Sequence, residues 1–155
     1  MLKTVSHCLV ALALFVGVAG KAIALEAGEK LAALALNDQF EKPLQLEEQT
    51  QYLLFSKDMA GGEVVQEALT ENPVAASGKL VYFADISGMP SLIARFVAIP
   101  KMQDYDFVLG LDREGEVTAS LPVEEKAATL IELDNFKVKS VSFFESADEL
   151  KQALK

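Results

Sequence analysis

Thiols and imidazoles are nearly missing from this chain of 155 residues, which has one cysteine, one histidine and no tryptophan. The two rare residues, His7 and Cys8, are neighbours close to the N-terminus. Their setting decides what the scarcity means. "MLKTVSH" carries Lys3 beside the terminal amine, and "CLVALALFVGVAG" then runs thirteen residues without a charge. "AIA" (Ala22, Ile23, Ala24) follows, with a small residue at each end. A basic start, an apolar stretch and a small-residue site make a secretory signal peptide, cleaved after Ala24. A spanning helix needs about 20 apolar residues, and Lys21 interrupts this run too early. Cys8 lies before the apolar stretch, so it is not placed for lipid attachment.

The expected mature chain, 25–155, therefore has neither Cys nor His. It can present no thiolate, form no disulfide and build no zinc or copper site from nitrogen and sulfur ligands. Histidine-based triads are closed to it as well. No motif asks for a cofactor, and none is expected. Losing Lys3 and Lys21 leaves 12 basic residues against 23 acidic ones, a net charge of −11. That excess argues against nucleic acid and anionic membranes as partners. The exported chain is expected in the periplasm, where a protein or a small molecule is the partner to look for. At 131 residues it makes one domain, large enough to bury a core without covalent staples.

What is present is regular. "LAALAL" (31–36) and "PLQL" (43–46) flank the turn-rich "NDQFEK", which predicts an N-terminal hairpin. "QYLLFS" (51–56) is almost continuously apolar, as a strand covered on both faces would be. In "GEVVQEALTENP", Val64, Val65, Ala68 and Leu69 share one helix face, and Asn72-Pro73 ends the helix. "KLVYFAD" (79–85) reads as a second buried strand. "SGMPSLIARFVAIP" reads as a second helix, with Pro90 in its first turn, Leu92, Ile93, Phe96 and Val97 facing inward, and Pro100 at its end. Two strand–helix units in succession predict parallel strands. "DFVLGL" (106–111) is then a strand turning at "DREGE", with Gly115 free to take a positive φ. "AATLIEL" and "KVKSVSFF" form a hairpin about Asp134-Asn135, and "SADELKQALK" a final helix. In that helix Ser146 and Glu149 have capping-box spacing, and Ala147, Leu150 and Leu154 face inward.

This order, β-α-β-α then β-β-α, is that of an α/β thioredoxin-like core, here with an N-terminal β-hairpin and an inserted strand. The chain also resembles the YtfJ-like family of exported thioredoxin-fold proteins. The resemblance lies in "SGM" (87–89), "DFVLGLDREGEV" (106–117), "EEKAATLIELDNFKV" (124–138) and an acidic C-terminal helix. In a thioredoxin core the redox pair sits where the first core strand enters its helix, faced by a cis-proline. The resemblance puts those positions at Lys57 to Gly62 and at Ala127-Ala128, where neither cysteine nor proline stands. Thiol-disulfide and peroxidase chemistry are thus excluded by residue type. What is left at that edge is a possible contact surface, Lys57, Asp58, Met59, Gly61, Gly62, Ser87, Met89, Ala127 and Ala128. Its loops follow the carboxyl ends of parallel strands, the usual place for ligands in open α/β sheets.

Other clusters are weaker. Asp104, Asp106, Asp112, Glu114 and Glu116 offer oxygen ligands for calcium, but "DREGE" falls far short of a calcium-loop motif and reads better as a solvated turn. Glu47-Glu48 and Glu124-Glu125 are sequence neighbours and need not share a pocket. Met102 suits core filling. Arg95 suits a surface position with a buried stem better than an anion site. Ser87 and Ser91 lack a histidine base. Phe83, Phe96 and Phe107 serve better as core than as a small-molecule pocket. The sequence thus favours a redox-inactive binding module, with no catalytic residue and no metal ligand assigned. The alternative is a non-thiol enzyme using carboxylates, lysine or an oxygen-ligated cation.

Overall fold

A computed structural model describes residues 25–155, so the expected signal peptide, residues 1–24, lies outside the described residues. Five strands form the main sheet in the order β5-β4-β3-β6-β7. The first three in chain order are β3 (Tyr52–Ser56), β4 (Leu80–Asp85) and β5 (Gly110–Asp112), and they run parallel. β6 (Ala128–Asp134) joins β3 on its other side antiparallel, and β7 (Lys137–Phe144) closes that edge. The predicted N-terminal hairpin is present as β1 (Ala35–Asn37) against β2 (Pro43–Gln45), in a small sheet of its own.

Strand alternation divides the core in two. Leu54, Tyr82 and Leu130 point to one face, where Val65, Ala68 and Leu69 of α1 (Met59–Leu69) cover them beside Leu150 and Leu154. Leu150 belongs to α4 (Ala147–Ala153), which packs alongside α1. Leu53, Phe55, Val81, Phe83 and Ile131 point to the other face, under Leu34, Leu36 and Leu44 of the N-terminal segment. Both faces are thus covered by apolar side chains, which is why β3 and β4 read as unbroken apolar runs. The β6–β7 turn centres on Asn135 and Phe136, both with positive φ, one residue later than expected. A two-residue hairpin turn of the primed type needs that conformation.

Four expectations require correction. The helix after β4 spans 91–103 and does not stop at Pro100. It comprises α2 (Ser91–Ile93), a π-helical turn (Ala94–Ala98) and α3 (Ile99–Gln103). Pro100 has no N–H to donate, and the wide turn just before it, closed by the Ile99 N–H on the Ala94 carbonyl, carries the chain past that gap. Its orientation also differs. Leu92, Ile93, Phe96 and Val97 face solvent, while Ala94, Ile99 and Met102 lean on the core. Both stripes of this helix are apolar, so periodicity found the larger side chains rather than the buried ones.

The expected strand over 106–111 is reduced to Gly110–Asp112. Buried Gln39, from the β1–β2 loop, takes over the backbone groups ahead of it. Its amide donates to the Phe107 carbonyl at 2.9 Å and the Met102 carbonyl at 3.2 Å, and accepts from the Leu109 N–H at 3.0 Å. A side chain here does what a neighbouring strand would have done. Ser146 does stand at the N-cap of α4, but its side chain makes no capping hydrogen bond, so the capping box does not form. Asp148 and Glu149 in the first turn still suit the positive end of the helix.

Candidate functional site

The stretch after β3 becomes helical sooner than a loop from Lys57 to Gly62 would allow, since α1 begins at Met59. Asp58 is its N-cap and uses both carboxylate oxygens. Oδ1 accepts from the Gly61 N–H at 2.7 Å, and Oδ2 accepts from the Lys126 N–H at 2.8 Å. One side chain therefore ties the helix start to the segment leading into β6. Lys126 sits in the left-handed region, φ 63°, which a non-glycine residue holds only under constraint. Gly61 faces Ala127 so closely that a Cβ built on it would lie 3.0 Å from the Ala127 carbonyl carbon and nearer still to its oxygen. Two predicted parts of the edge do meet here, packed backbone against backbone.

Of the predicted residues, Gly61, Ala127 and Ala128 are buried and unavailable to a partner. Lys57, Asp58, Met59 and Ser87 are exposed, and Gly62 and Met89 are half-buried. Met59 stands out at 76% exposed. The second loop is joined to the first through Asp85, the last residue of β4. Its Oδ1 accepts from the Ser87 N–H at 2.9 Å, and its Oδ2 lies 3.9 Å from Lys57 Nζ. In register beside it, at the end of β5, is Asp112. Burial pushes the Asp112 carboxyl up, but the Thr118 N–H and hydroxyl and the Gly115 and Glu114 N–H groups outweigh this and hold it below the ordinary aspartate range. Underneath, Ser56 Oγ and Tyr82 OH share a buried hydrogen bond of 2.7 Å, and burial pushes the Tyr82 phenol up to about 12.

Beside the clamp, an open groove of about 440 Å³ runs between α1 and the start of α4. Ala60 and Lys126 form its end nearest the clamp, and Glu63, Glu67, Glu145 and Asp148 line it with carboxylates.

No family model matches this chain, and no curated protein matches it. Solved structures do. Peroxidoxin BcpB from Mycobacterium tuberculosis superposes with a TM-score of 0.54 at 18% identity, covering 84% of this chain and 94% of its own. StoA from Bacillus subtilis gives 0.54 at 12% identity, over 80% of this chain and 97% of its own. The thioredoxin domain of a thiol-disulfide oxidoreductase from Bacteroides vulgatus gives 0.52 at 10% identity, over 85% of this chain and the whole of that domain.

This chain has a thioredoxin-like fold. At such low identity the likeness speaks for the fold alone. Within it, the clamp and the carboxylates at the strand ends define what chemistry the edge can support. Asp112 spends its oxygens on its own turn, and Asp85 divides its between the Ser87 N–H and Lys57.

The calcium reading loses its geometry: Asp112 is buried, and Asp106 accepts from the Glu71 N–H at 2.9 Å, away from the turn. Among the described residues no group of three or more His, Cys, Asp or Glu is arranged to hold a metal ion. Phe83 and Phe107 lie in opposite halves of the core and Phe96 is 65% exposed, so these three enclose no pocket. Sequence reasoning missed Asp58's second bond, Asp85 and the acidic groove. A charged residue ending an apolar strand run was a usable signal for Asp85. The groove was half visible as Glu63 and Glu67 at i, i+4, but Glu145 and Asp148 reach it only through tertiary packing.

Proposed function

We propose that this chain is an exported, redox-inactive member of the YtfJ-like group, acting in the periplasm as a binding module of the thioredoxin-like fold. Its contact surface is the edge made by Lys57, Asp58, Met59, Gly62, Ser87 and Met89. The observation that supports this reading most is the Asp58 clamp. Where the thioredoxin core has its thiols, this chain carries a carboxylate spent on the Gly61 and Lys126 N–H groups. An edge closed in this way, in a stretch without cysteine from 25 to 155, favours holding a partner over exchanging electrons with one. The names of the similar structures point to oxidoreductases, so the scaffold is shared while the reactive groups are not.

The neighbouring groove suits a partner with basic groups, since four carboxylates there face a single lysine. Exposed Met59 supplies an adaptable apolar contact. The test is capture from periplasmic extract by the wild-type protein and by a Met59→Glu, Met89→Glu variant. The expected result is a partner retained by the first and lost by the second, released by moderate salt. Equal recovery by both proteins would remove this surface from consideration.

A further inference from the structure

The solvent-facing side of the 91–103 helix carries Leu92 at 69%, Phe96 at 65%, Val97 at 58% and Ile93 at 48% exposed. Spaced i, i+1, i+4 and i+5, they form one continuous apolar stripe. Single exposed apolar residues are ordinary on a monomer, whereas a contiguous patch of a few hundred Å² is often functional. Its charge setting is unusual for this chain. From Ile86 to Gln103 there is no Asp or Glu, only Arg95 and Lys101, although the chain has 23 acidic residues. The Arg95 guanidinium lies 5.4 Å from the Phe96 ring centroid, which keeps that cation along the flank of the stripe.

We propose that this face joins two copies of the chain, helix against helix about a two-fold axis. A two-fold contact needs only one self-complementary patch, and a stripe of Leu, Ile, Phe and Val is that. Each copy offers on the order of 400 Å² of apolar side chain, about half the roughly 800 Å² that a partner buries in a stable interface. The dimer is therefore weak and reversible. Charge selects the occupant. Chains with 23 acidic against 14 basic residues repel one another over most of their surfaces, and the acid-free stretch is where two of them approach with least repulsion. An anionic bilayer meets the same net charge without bringing an acid-free face of its own. This contact stands independently of the edge proposed above.

Sedimentation equilibrium of the purified protein tests it, over about 10 μM to 1 mM protein and in about 0.05 and 0.5 M salt. A reversible monomer–dimer equilibrium is expected, tightening severalfold at the higher salt as mutual repulsion is screened. Leu92→Glu with Phe96→Glu should weaken association by at least about a hundredfold, each change acting twice in a symmetric contact. Leu92→Ser with Phe96→Ser should weaken it too, which separates lost apolar contact from added charge. Phe143→Glu, on β7, should leave it intact. Circular dichroism confirms that each variant is folded. A wild-type protein monomeric throughout, or a dimer indifferent to the two helix variants, would overturn the proposal. So would a monomer that binds anionic phosphatidylglycerol vesicles and is released by salt, because that is the signature of Arg95 and Lys101 on a lipid surface.

Discussion

Gly61 and Gly62 are adjacent in one helical turn, yet replacing each with alanine should move stability in opposite directions. A Cβ on Gly61 would meet the Ala127 backbone, 3.0 Å from its carbonyl carbon and closer to the oxygen. That carbonyl has little room to retreat. The Lys126 N–H is held by Asp58, the Ala127 N–H bonds to Glu124 at 3.3 Å, and Ala128 is already paired with Phe144. Overpacking against such a wall costs about 1–3 kcal/mol or more. The gain in helix propensity returns at most about 1 kcal/mol, and less in a first turn. Gly61→Ala should therefore destabilise by about 1–2 kcal/mol.

A Cβ on Gly62 would meet only Ser56 Oγ at 3.8 Å and Tyr82 OH at 3.9 Å, ordinary contact distances. Gly62→Ala keeps the propensity gain and should stabilise by about 0.5–1 kcal/mol. Near the transition, each kcal/mol is worth roughly 3–5 °C for a chain this size. Thermal unfolding followed by circular dichroism should thus show Gly61→Ala below wild type and Gly62→Ala above it. If both variants shift the same way, or if Gly61→Ala is neutral, the close packing of α1 on the start of β6 is wrong.

Removing the clamp gives a second expectation. Asp58→Ala loses both the cap and the tie to Lys126, and should cost about 2–3 kcal/mol in urea unfolding, more than an ordinary N-cap. Asp58→Asn, which keeps one acceptor oxygen, should fall between it and wild type, and amide exchange at Gly61 and Lys126 should quicken in step. Acid sensitivity follows from Asp112. Its folded pKa is depressed, so its contribution is present above the unfolded value of 3.8 and is lost as pH falls through the lower, folded one. Unfolding of Asp112→Asn measured across that window should release correspondingly less pH dependence than wild type; an unchanged slope would contradict the turn's hydrogen bonds. At alkaline pH the sign reverses for Tyr82. With a folded pKa raised to about 12 from 10.0, it stabilises fully below 10 and loses that contribution as pH climbs towards 12. Absorbance at the phenolate band should show Tyr82 ionising near pH 12 in the folded protein and near 10 once unfolded, which the lack of tryptophan makes easy to follow.

Local pattern carried most of the element order, because it rests on period-two and period-3.6 burial that neighbouring residues can display unaided. Unbroken runs such as "YLLF" and "LVYFA" announced strands covered on both faces, and the tight turn after "LIELD" announced a hairpin. The lack of any cysteine between residues 25 and 155 was equally plain, since composition needs no coordinates. Tertiary structure decided what local pattern left even. The 91–103 helix has two apolar stripes, and only packing could choose Ala94, Ile99 and Met102 for the core over Leu92 and Phe96. Gln39 displaced a strand through bonds spanning more than sixty residues, and Asp58 reached Lys126 across a similar separation. Such contacts depend on where two distant segments come to lie, and a residue's immediate neighbours in the chain hold no record of that.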